Sequence, residues 1–388
     1  MLSYDEILTD LRRQSLFREL RTIEEVQGTI VRVHDRLLVN FASNDYLGLS
    51  QHPSVRMAAK AAIDQFGAGA GASRLVTGTQ SPHTLAERAI AALKGAESAI
   101  LFSSGYTAAL GAMTSLVSHG DVVILDKLSH ACLIDGARLS GAAMRVFPHN
   151  DIAKLRRHLE WARRTCPSGR TLIATESIFS MDGTFGKLEE ITKLKNEFGA
   201  LLMVDEAHAT GVVGPQGAGW IAALGLTSQV DVQMGTLSKA CGASGGFVCG
   251  SGSLIQFLIN KARSFIYSTG LPPSSAAAAL AALEIIRGPE GEALRCRLSS
   301  NVRLFDEFTN QNTNRITSPI SPIFPVTIGD EERAMLMAEA LYRRGFLAPA
   351  IRYPTVARGS ARIRIALSSS HSSSQIRALS EAILESRG

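Results

Sequence analysis

The sequence predicts an α/β fold: a mostly parallel central sheet with helices on both faces, followed by a smaller C-terminal α+β domain. Three observations predict it. Short, unbroken apolar runs alternate with helix-forming stretches between residues 98 and 250, the pattern of strands buried on both faces. Residues able to do chemistry recur directly after such runs: Gly105, His130, Ser180, Asp205, His208 and Lys239. In such sheets ligands bind beyond the carboxyl ends of the strands, so this recurrence argues for a single site. The character then changes at Arg287-Gly288-Pro289, a boundary signal.

The elements follow in order. Residues from Leu2 to about Val26 read as a charged amphipathic helix with Ile7, Leu11 and Leu16 on one face. They contain no secretory apolar core. A strand pair follows, residues 29–33 and 37–41, joined by His34-Asp35-Arg36. Ser43–Leu49 is rich in turn residues. The glycines of residues 66–74 tempt a dinucleotide reading, since Gly67, Gly69 and Ala72 fit its loosest form. That fingerprint needs a strand before it, and residues 58–65 are helical, so it is rejected. Strands are expected at residues 99–102, 122–125, 144–147, 172–175, 201–204, 230–234 and 246–249, with a helix over 108–117. The apolar run Ala276–Ile286 is too short to span a bilayer, contains Glu284, and reads as a buried helix. Beyond the boundary come a helix over 298–309, a polar loop over 310–314 and a strand over 323–328. A helix over 332–344, a strand over 363–367 and a final helix ending at Arg387 complete the chain. The expected division is residues 1–45 (N-terminal helix and short strands), 46–286 (large α/β domain) and 287–388.

Composition limits the function. Of 388 residues, 45% are hydrophobic and 19% charged, which excludes a disordered chain. The net charge of +5 is mild, and the arginine pairs Arg12-Arg13, Arg163-Arg164 and Arg343-Arg344 are scattered. That disfavours nucleic acid and favours anionic small ligands. The 5 cysteines are far apart and form no CxxC. This argues against a disulfide framework or a zinc site and fits a reducing, cytoplasmic compartment.

The chemistry centres on Met234–Gly246. Lys239 lies there between a strand and a glycine-rich turn. A lone lysine is usually a solvated surface group. Held among small apolar residues it loses hydration, and its neutral amine becomes easier to populate. That suits a Schiff base with an aldehyde cofactor. Thr236 and Ser238 offer hydroxyls to a phosphate. Asp205, at a strand end, can keep a pyridine nitrogen protonated, which is what pyridoxal phosphate requires. His208 can meet its ring hydroxyl and His130 its ring face. Gly105 and Tyr106 open a helix whose first amides suit a phosphate. Each residue alone has an ordinary alternative: a turn-capping Asp, a packed histidine, a plain glycine turn.

Ten blocks in this order resemble the α-oxoamine synthases, a branch of the fold-type I pyridoxal-phosphate enzymes. They are SNDYLGL (43–49), GASRLVTG (71–78), FSSGYTAA (102–109), LSHACLIDGARLS (128–140), FPHND (147–151), ESIFSMDG (176–183), VDEAHATGVVG (204–214), GTLSKACGASGG (235–246), IYSTGLPP (266–273) and IRYPTVARGSARIRIALSSSH (351–371). The resemblance implies a fold-type I transferase with pyridoxal 5'-phosphate on Lys239. Asp205 would meet the ring nitrogen, His208 the ring oxygen and His130 the ring face. Gly105, Tyr106 and Thr236 would surround the phosphate, and Ser180 would contact the cofactor. Arg352, with Thr355, would bind the amino-acid carboxylate, and Arg21 the acyl substrate. Ser268 and Thr269 would reach the phosphate of a partner subunit, which implies a homodimer. Ser238 stands where relatives often have glycine. The implied reaction joins an amino acid to an acyl-CoA or acyl-carrier protein with loss of carbon dioxide and without a metal. The resemblance favours L-alanine and leaves open glycine with acetyl- or succinyl-CoA. A scaffold that keeps the fold without catalysis is the rival from another class; the complete set around Lys239 argues against it.

Overall fold

The apolar runs between residues 98 and 250 form one seven-stranded sheet in the computed structural model, which describes residues 3–309 and 321–386. The strand order is Ser98–Phe102, Gly246–Gly250, Val232–Thr236, Leu201–Asp205, Thr171–Glu176, Val122–Asp126 and Ala143–Phe147. Gly246–Gly250 runs antiparallel to both neighbours, and the remaining pairs are parallel. Successive side chains of a strand point to opposite faces. Val123, Leu125, Ala174 and Met203 therefore pack on one face with Ala109, Met113 and Leu133. Val122, Ile124, Ile173, Leu202 and Val204 pack on the other with Leu155, Leu159 and Ile191. Burial on both faces is why these strands read as unbroken apolar runs.

The strand register brings the functional ends together. Glu176 stands opposite Asp205, and Asp205 opposite Met234. Gly246 is flanked by Phe102 on one side and Thr236 on the other. The turn after Asp205 is anchored by a fully buried ion pair, Lys94 Nζ to Glu206 Oε2 at 2.7 Å. Lys94 also donates to the Ala218 carbonyl, and Glu206 accepts from the Ile221 amide at 2.9 Å. Gly219, at φ +110°, passes so close that a Cβ there would lie 2.1 Å from Glu206 Oε2. Burying two such groups is tolerated here because they are paired and hydrogen-bonded.

The chain divides into two compact units. The larger takes Leu49–Ser180 and Thr184–Arg295 and holds the seven-stranded sheet. The other takes the chain up to Gly48, the segment Met181–Gly183 and the chain from Cys296 on. This differs from the division drawn at residues 45 and 286. The N-terminal segment joins the C-terminal part because strand Arg36–Asn40 pairs in parallel with Phe346–Leu347, extending the hairpin it makes with Ile30–Val33. Pro289 starts a helix, Pro289–Thr309, so the helix expected from Leu298 begins nine residues earlier. Proline's fixed φ and missing N–H suit a first helical turn. A three-stranded sheet, Ile323–Gly329, Ala361–Ala366 and Ala350–Ile351, completes this unit with helices Glu331–Arg343 and Ser373–Glu385.

The first helix is also shorter than the apolar spacing suggests. It spans Tyr4–Arg13 and ends where Ser15 takes φ +56°, with the Leu16 and Phe17 amides both donating to the Leu11 carbonyl. Leu16 is buried, but Ile7 is exposed. The polar loop at 310–314 and Arg387 lie outside the described residues. Among the described residues no helix is long and apolar enough to cross a membrane.

Candidate active site

Seven of the residues expected at the site line one cavity of about 210 Å³ at the carboxyl edge of the large sheet: Gly105, Tyr106, His130, Asp205, His208, Thr236 and Lys239. Each owes its place to a local turn. Ser104 caps helix Gly105–Leu116, and its hydroxyl accepts from the Thr107 amide at 3.2 Å. A helix start leaves its first amides without intrahelical partners, and here those belong to Gly105 and Tyr106. Tyr106 donates through its hydroxyl to Asp135 Oδ2 at 2.6 Å. His130 caps helix Ala131–Ser140. Its amide donates to Glu176 Oε1, and its Nδ1 lies 3.0 Å from Cys132 Sγ. Asp205 accepts from the Ala207 amide at 2.8 Å. That tight turn brings His208 Nε2 to 2.9 Å from Lys239 Nζ.

On the far side, Thr236 donates to the Gly245 carbonyl at 2.8 Å, and Ser238 Oγ lies 2.8 Å from Thr236 Oγ1. The hydroxyl of Ser238 thus belongs to the Thr236 side of the turn. Glycine is required at Gly246, where a Cβ would lie 2.3 Å from the Ser104 carbonyl oxygen, and a Cβ on Gly105 would be tight, 3.3 Å from Thr236 Cβ.

Charge is concentrated in a small volume. Burial raises the Asp205 carboxyl above its ordinary range, against the pull of the Lys239 ammonium. Burial raises Glu176 still more clearly, and the neighbouring Asp205 adds to it. The His130 imidazole is pushed down by the protein packed against its inner side. Two buried carboxyls facing a cavity call for a cation or a proton donor. A protonated pyridine nitrogen supplies one, first-turn amides and Thr236 suit a phosphate, and Lys239 suits an aldehyde. The residues present therefore fit pyridoxal phosphate. Larger cavities of about 540 and 500 Å³ lie against the strand starts Thr171, Leu201 and Val232, and neither is lined by a lysine or a histidine. The chemistry, not the volume, selects the smaller one.

The other expected residues lie elsewhere. Ser180 is buried at the end of the segment after Thr171–Glu176 and is not among the cavity's lining residues. Thr269 is exposed and bridges Ser73 in antiparallel fashion, with Ser268 beside it. Arg21, Arg352 and Thr355 belong to the smaller unit. Arg352 is buried and donates to the Ser15 and Phe17 carbonyls, the latter at 3.2 Å, and burial lowers its pKa. Thr355 is exposed and accepts from Arg18 at 3.3 Å. Arg21 is exposed, its guanidinium 5.2 Å from the Tyr342 ring centre. Among the described residues no cluster of three or more His, Cys, Asp or Glu is placed to hold a metal.

Sequence reasoning does not single out Glu176, Cys132 or Arg18. Glu176 carries the same signal as Asp205, a carboxylate at the end of an apolar run. Cys132 and Arg18 have no distinguishing pattern of their own.

A family model for aminotransferase class I and II matches residues 36–383. An 8-amino-7-oxononanoate synthase of Geobacter sulfurreducens is 44% identical over 95% of this chain and 94% of its own length. A high-resolution structure of SPT with PLP superposes with a TM-score of 0.89 at 31% identity, covering 95% of this chain and 92% of that one. The crystal structure of 8-amino-7-oxononanoate synthase from Francisella tularensis superposes with a TM-score of 0.76 at 29% identity, covering 90% of this chain and 98% of that one.

Proposed function

This chain belongs to the 8-amino-7-oxononanoate synthase family, within the class I and II aminotransferases, and from that membership we propose its reaction. It joins L-alanine to a pimeloyl thioester, carried by CoA or acyl-carrier protein, and yields 8-amino-7-oxononanoate, the free thiol and carbon dioxide in biotin biosynthesis. The observation that carries this reading is Lys239 Nζ held 2.9 Å from His208 Nε2, beside buried Asp205 in one cavity.

Pyridoxal phosphate, when bound, supplies an aldehyde for an amine and a ring that draws charge from the substrate's Cα. The protein's residues do the rest. Lys239, its Nζ 2.9 Å from His208 Nε2, would hold the aldehyde carbon. The same Nζ would serve as the general base that takes the substrate's Cα proton and returns one. Asp205 would keep the ring nitrogen protonated, His208 would address the ring oxygen and orient Nζ, and His130 would cover the ring face. Gly105, Tyr106 and Thr236 would enclose the phosphate, and Ser180, buried but not lining the cavity, would add a contact to the cofactor. Arg352, with Thr355, holds the alanine carboxylate and must share its guanidinium with the Ser15 and Phe17 carbonyls. Arg21 meets the far carboxylate of the pimeloyl chain.

The two arginines separate the two substrate carboxylates. An arginine makes paired, planar hydrogen bonds that a lysine cannot reproduce. Arg352→Lys is expected to weaken amino-acid binding alike for every acyl donor. Arg21→Ala is expected to penalise pimeloyl-CoA by about 1–3 kcal/mol, as for hydrogen bonds to charged groups, and to spare an uncharged donor of similar length. The readout is the ratio of kcat/KM between the two donors in wild type and variant. An unchanged ratio would mean that Arg21 touches only the CoA moiety, and would reopen glycine with acetyl- or succinyl-CoA.

We also propose a homodimer that shares its sites through Ser268 and Thr269. Leu75, Val76 and Tyr267 are 53%, 73% and 72% exposed around the Ser73–Thr269 bridge. These exposed apolar side chains are ones such an interface would cover, and a two-fold pair is the commonest way to close one. Light scattering across a dilution series is expected to give a dimer at every concentration where activity is full. A fully active monomer would refute this arrangement.

A further inference from the structure

We propose that Cys132 is a positioning residue that fixes the tautomer of His130. The geometry is local and specific. His130 Nδ1 accepts from the Cys132 backbone amide at 3.3 Å and lies 3.0 Å from the Cys132 thiol sulfur. Cys132 is 2% exposed and also lines the cavity. The thiol remains a donor: burial holds it well above its usual pKa, and the nearby Asp205 and Glu176 carboxyls add to that. Two donors converging on Nδ1 leave the proton of the neutral imidazole on Nε2.

This has a consequence for charge. Donors at Nδ1 stabilise the neutral ring, because a protonated ring would turn an N–H against them. The groups that face His130 pull both ways. Asp205 and Asp135 favour its charged form, Lys239 opposes it, and Glu176 engages its backbone amide. The Cys132 contacts weigh on the neutral side. On the reading that His130 covers the cofactor ring, a neutral imidazole avoids repulsion with the protonated pyridine nitrogen beneath it.

The test is a ¹⁵N-histidine NMR titration of the holoenzyme, with His130 assigned by its absence in His130→Asn. Wild type and Cys132→Ser are expected to show His130 protonated on Nε2 and resisting protonation at Nδ1. In Cys132→Ala, which keeps the backbone donor but loses the side-chain one, the two ring nitrogens should move toward averaged shifts. The midpoint should rise by about half to one pH unit, the equivalent of one ordinary hydrogen bond. A purely packing role for Cys132 would leave both tautomer and midpoint in place. The proposal is overturned if the alanine variant titrates as wild type does, or if the serine variant titrates with the alanine variant. The same spectra of apoprotein with added cofactor examine the underlying reading separately. His130 signals that ignore the cofactor would remove its place over the ring, while the comparison among the three position-132 proteins still decides what Cys132 does.

Discussion

Lys239→Ala is expected to lose turnover by at least about 10⁴-fold while still taking up pyridoxal phosphate. General-base catalysis alone contributes about 10²–10⁴-fold, and this one amine is also proposed to hold the cofactor's aldehyde. The contacts proposed for the helix start at Gly105 and for Thr236 and Asp205 are made by other groups than the lysine and are expected to survive its loss. Binding should therefore persist without the covalent link. A titration followed by absorbance would show uptake, with no band of the lysine-linked form and no reappearance on changing pH. Turnover close to wild type in this variant would remove Lys239 from the centre of the mechanism. Loss of uptake as well would mean that the lysine, not the phosphate cradle, supplies most of the affinity.

Asp205→Asn is expected to cost nearly as much, by a different route. The ordinary reading of Asp205 is a turn residue that accepts from the Ala207 amide at 2.8 Å. Asparagine keeps that acceptor, so the turn survives. What it would lose is the charge proposed to face the pyridine nitrogen. Removing one partner of a buried charge pair costs about 3–5 kcal/mol, which is about 10²–10⁴-fold in rate or affinity. Asp205→Asn should therefore fold, bind the cofactor more weakly and turn over slowly. Activity within a few-fold of wild type, at saturating cofactor, would return Asp205 to a capping role.

The parts of the fold that were legible in the sequence are those where burial is two-sided. The strands at Val122–Asp126 and Leu201–Asp205 are wholly apolar up to their last residue because helices cover both faces. The final Asp of each is buried too, but accepts from a nearby amide, Asp126 from Asn150 and Asp205 from Ala207. Other features depend on partners distant in the chain. No local pattern tells Arg36–Asn40 that it will pair with Phe346–Leu347. The stop of the first helix at Ser15 carries no glycine or proline signal, since the left-handed turn there is set by the Leu11 carbonyl gathering two amides. Pro325 within Ile323–Gly329 weakens a strand assignment, yet that strand is at the edge of its three-stranded sheet, where a missing donor is tolerated.

The candidate site was legible to the extent that its residues follow strand ends. Asp205, His208 and Lys239 do, and they meet in one cavity. Glu176 does too, but a carboxylate in that position has ordinary turn roles. Its importance shows only when the register sets it opposite Asp205 and under the His130 amide. Cys132 is invisible for another reason. A buried cysteine packs like a small apolar residue, and only its 3.0 Å approach to an imidazole nitrogen distinguishes it.

The most direct measurement is the mass of the product formed when the pyridoxal-phosphate-loaded enzyme is given alanine or glycine with a panel of acyl-CoA and acyl-carrier-protein donors. The account predicts 8-amino-7-oxononanoate from L-alanine and a pimeloyl donor, with carbon dioxide and free thiol released in equal amounts. A faster condensation of glycine with acetyl- or succinyl-CoA, or no condensation with any pair, would contradict it.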